Sequence, residues 1–207
     1  MLYDKPTGPS SFAIVRDLRD RTGARAGHAG TLDPFATGLL LILLGAFTKQ
    51  AQRFVGLTKR YETAIDLSAT TSTGDPEGEL LEEHQPPSED ELQRRLDELR
   101  GEVDLQIPAA SAVKIGGERA YRLHRRGVAV EMPTRRTTVH ELELLAYEGG
   151  LARVRLHLSS GGYVRAVAEA LGGHCVSLQR THVGPFDIAN ADPERIIDPE
   201  EALATLA

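Results

Sequence analysis

The chain has 207 residues, 41% of them hydrophobic and 26% charged, with a formal charge of −6, which is ordinary for a soluble globular protein. Its longest apolar run, Leu39 to Phe47, is too short to span a bilayer. The first residues lack the pattern of a signal peptide, and a lone cysteine, Cys175, excludes an internal disulfide and fits a reducing, cytoplasmic setting. The seven histidines are scattered without ligand spacing, and neither a P-loop nor a dinucleotide fingerprint is present. The expectation is therefore no metal, no cofactor and no membrane.

In chain order, Leu2 to Lys5 reads as a short strand and Lys5-Pro6-Thr7-Gly8-Pro9-Ser10-Ser11 as a loop. Ser10 or Ser11 is placed to cap a helix whose apolar positions are Phe12, Ile14, Val15 and Leu18. Then comes Gly27-His28-Ala29-Gly30-Thr31-Leu32-Asp33-Pro34-Phe35-Ala36-Thr37-Gly38, with three glycines, a histidine and one carboxylate within twelve residues. Asp33 before Pro34 reads as an N-cap and first turn, and the nearly all-round apolar run Ala36 to Leu44 as a buried helix. That reading accounts for Asp33 as a cap but not for the glycine-punctuated loop before it, and loops braced by packed elements are where chemistry tends to sit.

Thr48 is placed to cap a short helix over Lys49 to Val55. Lys59 to Ser68 alternates, with Tyr61, Thr63, Ile65 and Leu67 on one face, and predicts a strand. After a turn-rich loop at Thr71 to Gly78, Ser88 and Glu91 form a capping box for a helix with Leu92, Leu96 and Leu99 on its stripe. Gly116-Gly117 predicts a hairpin turn, Arg119 to Arg126 a basic helix, and Thr137 to Tyr147 with Leu151 to Leu158 a hairpin around Glu148-Gly149-Gly150. A helix follows with Val164, Val167, Ala168 and Leu171 inward and Arg165 expected to point away from them. His174-Cys175 reads as a packed strand or turn pair, and Asp198 to Leu206 as a short helix.

Charge is strongly polarised along the chain. Asp75 to Glu102 holds eleven acids against Arg94, Arg95 and Arg100, and Asp187 to Glu201 six against Arg195. Between Lys114 and Arg136, seven basic residues stand against Glu118 and Glu131. A protein acidic overall is thereby able to hold a polyanion on one face.

The stretch Gly27 to Pro34 resembles the catalytic motif of the TruB family, the tRNA pseudouridine-55 synthases. Further matches follow in order. Lys5-Pro6-x-Gly8 is similar to the family's first motif and Lys59-Arg60-Tyr61 to its second. Leu105 to Lys114 is similar to the Gln-x-Pro-Pro-x-x-Ser-Ala-x-Lys stretch, with Ala109 in place of the second proline. Ser159 to Arg165 is similar to Ser-Lys-Gly-Thr-Tyr-Ile-Arg, with Ser160 and Gly162 replacing lysine and threonine. Ser177 to Phe186 is similar to the closing Leu-Arg-Arg-Thr segment, with Gln179 replacing an arginine.

The resemblance covers Lys5 to Phe186. It implies an α/β fold, a central mixed or mainly antiparallel sheet flanked by helices with an active-site cleft. Residues 1–207 would form one catalytic domain, without the PUA-type C-terminal RNA-binding domain that many bacterial members carry. The implied reaction isomerises a T-loop uridine of tRNA, at position 55, with the T-arm stem-loop as partner and the enzyme a cytoplasmic monomer needing no protein partner.

Pseudouridine formation breaks the C1′–N1 bond, turns the base and rejoins it through C5, with no redox change and hence no need of a cofactor. Asp33 is the expected catalytic carboxylate, whether it adds to the sugar, adds to the base or draws a proton during glycal formation. Arg165 is the expected cation keeping Asp33 ionised. Tyr61 would lie against the base, Tyr163 and Leu178 would wall the pocket, and His28 would fill the gap left by the flipped uridine. Were Tyr61 to take the C5 proton, a cation must assist it, for which Lys5, also assigned to substrate, and Arg165 are candidates.

Three other readings compete. A non-catalytic RNA-binding module has no need of Asp33 with Arg165. A two-carboxylate glycosidase requires a second acid that no motif supplies. A guide-RNA-dependent relative requires a protein and RNA scaffold. Turnover on bare tRNA separates them.

Overall fold

The computed structural model describes residues 1–206. The elements are β1 (Leu2–Lys5), α1 (Ser11–Thr22), β2 (Ala26–Ala29), β3 (Thr37–Leu44), α2 (Ala51–Val55), β4 (Lys59–Asp66), β5 (Ala69–Thr71), β6 (Leu80–Glu83) and α3 (Glu89–Glu98). They continue with β7 (Gly101–Gln106), β8 (Lys114–Ile115), β9 (Glu118–Arg119), α4 (Ala120–Arg125), β10 (Thr134–Glu148), β11 (Leu151–Leu158), α5 (Val164–Leu171), β12 (His174–Val183), β13 (Phe186–Asp187) and α6 (Pro199–Ala204). The class is the expected mixed α/β, with a mixed sheet flanked by helices. The chain divides into two compact units, Met1–Glu62 with the chain from Leu178 on, and Thr63–Ser177.

In the first unit the expected helix over Ala36 to Leu44 is instead strand β3. A strand buried on both faces is as continuously apolar as a buried helix, so periodicity alone does not separate them. The packing shows the period of two: Leu39, Leu41 and Leu43 join Phe54, Val183 and Phe186, while Leu40 and Ile42 meet Ile14 and Leu18 of α1. Strand β1 lies antiparallel to β3 with Lys5 opposite Gly38, β2 also runs antiparallel to it, and β12 runs parallel with Arg180 opposite Gly38. Asp33 therefore caps no helix. Ser10 does cap α1, accepting from Ala13 N at 3.2 Å. Thr48 lies inside a 3-10 turn, Gly45–Gln50, and bonds back to Gly45 O rather than capping α2.

Gly38 has φ +105°, and a Cβ there would stand 2.3 Å from the Arg180 carbonyl oxygen. Gly38→Ala is expected to destabilise the fold by about 3 kcal/mol or more, lowering Tm by roughly 6 °C or more for a chain of this size. A thermal melt matching the unsubstituted protein would overturn this account of the β3–β12 crossing.

In the second unit β10 is the centre, with β11 on one edge and β7 on the other, both antiparallel. The β10–β11 hairpin turns at Gly149-Gly150, both at positive φ (58° and 87°), a conformation glycine adopts without steric cost. Ser88 caps α3 as expected, and Leu92 and Leu96 are buried. The β5–β6 ladder carries no alternation to read, whereas β7 alternates through Val103 and Leu105 toward Ile107, a strand signal not assigned from the sequence. Helix α5 is buried nearly all round, Arg165 included.

Candidate active site

Asp33 lies between β2 and β3, and the first unit grips that segment by its backbone. Lys5 is fully buried, and its Nζ donates to the carbonyls of Ala36 (2.6 Å), Pro6 (2.8 Å) and Pro34 (3.2 Å). Ser11 Oγ accepts from Leu32 N (2.8 Å) and donates to Leu32 O (2.9 Å), and Thr7 Oγ1 donates to Phe35 O (2.9 Å). From β12, Arg180 donates through Nε to Leu39 O (2.7 Å), Nη2 to Gly30 O (3.2 Å) and Nη1 to Thr31 O (3.4 Å). Gly30 sits at φ +89° with Arg180 Nη1 3.5 Å from where its Cβ would be. Both the loop's conformation and its contact with the guanidinium thus favour glycine. Lys5, expected at the substrate, is buried here against loop carbonyls.

The electrostatics gather on Tyr61, a buried residue of β4. Burial raises its hydroxyl pKa, the charge and side-chain hydrogen bond of Arg180 act to lower it, and the Asp33 carboxylate acts to raise it. Arg180, 1% exposed, is itself pulled down by burial and held up by Tyr61 and Asp33. It still carries its charge at neutral pH, as guanidinium groups do in proteins. In this unit the cation beside the tyrosine is thus Arg180, a residue of the closing segment Ser177 to Phe186.

Burial and then the Arg180 charge lower Lys59 to about 8, against donation of its ammonium to Val55 O and Leu57 O. His28, on β2, is half-buried. Burial first, then Arg180, depresses its pKa, so the ring is neutral at pH 7, and its Nδ1 has no hydrogen-bond partner among the described residues. Leu178 is buried on β12, its carbonyl accepting from Thr37 Oγ1 at 3.4 Å.

The second unit carries the remaining expected residues. Arg165 does not point outward but is 2% exposed. It pairs with Asp75 at 3.3 Å and donates to Thr73 O (2.7 Å) and Ala110 O (3.0 Å). The segments at 73–75 and 110 cover the face that the helical stripe leaves polar. Tyr163 precedes α5, and the Arg135 guanidinium lies over its ring at 5.8 Å, an arrangement favoured by the ring quadrupole. Helix α4 is basic as expected, with Arg119, Arg122, Arg125 and Arg126 exposed. Arg122 and Arg125 lie over the Tyr121 ring, at 5.9 and 5.7 Å, and Arg126 pairs with Glu118 at 2.8 Å.

Comparison with known proteins meets this geometry. Residues 18–164 match the family model described as TruB family pseudouridylate synthase, N-terminal domain. The chain is 40% identical over 199 residues to tRNA pseudouridine synthase B of Aromatoleum aromaticum, covering 92% of this chain and 65% of that protein. It is 40% identical over 220 residues to tRNA pseudouridine synthase B of Leifsonia xyli, covering 98% and 72%. The chain therefore spans about two thirds of the length of these curated relatives. Among solved structures, a Cbf5-Nop10-Gar1 complex is similar with a TM-score of 0.70 at 26% identity, covering 90% of this chain and 49% of that one. A pseudouridylate synthase at 16% identity and a TM-score of 0.51, covering 100% of this chain and 72% of that one, shares the fold.

Proposed function

This chain belongs to the TruB family of pseudouridylate synthases, and on that premise we propose that it converts a T-loop uridine of tRNA, at position 55, into pseudouridine. The observation that carries the proposal is Asp33, on a loop whose backbone is clasped by Lys5, Ser11 and Arg180, with its charge acting on Tyr61. Such clasping provides what a positioned carboxylate requires, since a reacting group must be held within fractions of an ångström. The reaction breaks C1′–N1, forms C1′–C5, and moves a proton from C5 while N1 gains one, so atoms and charge balance within the base. Asp33 is the group that drives bond exchange, and Tyr61 the group placed for the C5 proton.

Lys5 acts by shaping the loop. His28, neutral at pH 7, suits a stacking role in an unpaired RNA loop, where an aromatic face rather than a charge is needed. Tyr163, Arg165 and Leu178 keep the substrate-binding roles that the family resemblance implies, while the charge acting with Asp33 is that of Arg180. Release of tritium from tRNA labelled at uridine C5, incubated with the purified protein alone, tests the reaction. Stoichiometric release from one uridine supports it, and no release from bare tRNA contradicts it.

The exposed arginines of α4 are assigned to RNA phosphates. Replacing Arg119, Arg122, Arg125 and Arg126 with glutamine is expected to flatten the slope of log affinity against log salt by about 3, from the loss of four phosphate contacts. Single-turnover rates on bound tRNA should stay unchanged. An unaltered slope would place the RNA elsewhere on the protein.

A further inference from the structure

We propose that Arg180 is a positioning residue that ties the Tyr61 hydroxyl to the Asp33 loop through one guanidinium, so that base and carboxylate are held by a common part. The proposal rests on the reaction argued above and deepens it.

Three N–H groups of this side chain are committed to carbonyls on either side of Asp33: Gly30 and Thr31 before it, Leu39 after it. The Tyr61 hydroxyl is its side-chain partner. The guanidinium is 1% exposed, and burying so large a cation is costly unless its donors are used. A planar fork with five donors is the one side chain able to serve several separated acceptors at once. Lysine, with a compact ammonium, cannot span them. The Gly38–Arg180 crossing sets the fork's origin, because Gly38 permits the β12 backbone to pass where any Cβ would collide. The two-sided grip goes beyond packing, since a buried methionine of similar length would fill the volume without joining Tyr61 to the loop.

The charge has a second consequence for Tyr61. The charged groups acting on its hydroxyl in this unit are Arg180 and Asp33, of opposite effect, within a burial that disfavours phenolate. Lys59 and His28 are the further titratable groups that the Arg180 charge depresses. Removing the cation leaves burial and Asp33 both acting to keep the hydroxyl protonated, so the phenolate becomes harder to form.

The test is a titration of phenolate absorbance that needs no turnover. The difference between the unsubstituted protein and Tyr61→Phe isolates Tyr61 from the other four of the five tyrosines, and the same difference is taken in Arg180→Met, Arg180→Gln and Arg180→Lys backgrounds. The Tyr61 midpoint should rise by a pH unit or more in the two neutral variants and stay near its original value in Arg180→Lys. Should Arg180→Met fail to fold, Arg180→Gln retains donors for the carbonyls and gives the neutral arm. Single-turnover rates complete the test: Arg180→Lys, with charge kept and fork lost, should fall tenfold or more, and the neutral variants further, with their rise in rate displaced to higher pH. Coincident Tyr61 midpoints in all backgrounds would overturn the proposal, as would an Arg180→Lys enzyme of undiminished rate. If the unsubstituted protein shows no turnover on tRNA, the proposed reaction fails, and the titration still decides whether Arg180 governs Tyr61.

Discussion

Asp33→Asn is expected to abolish pseudouridine formation, by a factor on the order of 10⁴ or more, while leaving the fold and tRNA binding in place. The magnitude follows from what removing a reacting group costs in enzymes where one side chain carries the bond exchange. Asparagine has the same shape and keeps hydrogen-bonding capacity, but it neither adds to an electrophilic carbon nor accepts a proton at neutral pH. The structure gives no reason for collapse. Asp33 begins no helix, and its main-chain carbonyl, which accepts from Ala36 N at 3.2 Å, is untouched by the change. The loop's other anchors, at Gly30, Thr31, Leu32, Pro34, Phe35 and Ala36, are all main-chain groups. The attraction between the carboxylate and the buried Arg180 is weakened, a cost of about 1–3 kcal/mol, while the Arg180 donors keep their carbonyl partners. Single-turnover kinetics, a thermal melt and a tRNA-binding titration on the same preparation resolve the three effects. Turnover above a trace excludes Asp33 as the reacting group, and an unfolded variant assigns the carboxylate to structure.

Tyr61→Phe is expected to lose turnover by about 10²–10⁴-fold, the usual contribution of a positioned general base, although it keeps the ring. Stacking and proton transfer diverge here. If the ring alone matters, Tyr61→Phe retains most of the rate and Tyr61→Leu loses it; if the hydroxyl takes the C5 proton, both lose it. The hydroxyl is buried beside a guanidinium, and a cation is the neighbour that assists a tyrosine whose ordinary pKa is about 10. In Tyr61→Phe the glycosidic bond should break and re-form while the C5 proton stays, so that rearranged base accumulates without tritium release. The change also deprives Arg180 of a partner, at about 1–3 kcal/mol of stability, which a melt measures separately. Near-unsubstituted single-turnover rates for Tyr61→Phe would assign the residue to stacking.

Local chemistry was legible where it is read locally. Ser10 before α1, the alternation through Tyr61 and Ile65 in β4, the Ser88 cap of α3 and the glycine pair between β10 and β11 are each written in neighbouring residues. Strand β3 was not, because a strand covered on both faces by α1 on one side and Phe54 with Phe186 on the other carries no alternation to read. The burial of Arg165 was hidden for a related reason: its covering segments, at Thr73 and Ala110, are distant in sequence. Arg180 is the clearest omission. Its role depends on a parallel register between β12 and β3, and nothing within ten residues of it announces that Gly30, Leu39 and Tyr61 will be its partners. The available signal was Gly38, a glycine at the head of an apolar run, which marks a close backbone approach without saying what approaches.

The central claim is that this chain makes pseudouridine in tRNA through Asp33. The measurement closest to it is to incubate the purified protein with unmodified tRNA transcript and map pseudouridine nucleotide by nucleotide, with Asp33→Asn run alongside. The account predicts one new pseudouridine in the T-loop, at position 55, with the unsubstituted protein and none with the variant. A transcript left unmodified by the folded, tRNA-binding protein, or modified equally by both, would contradict it.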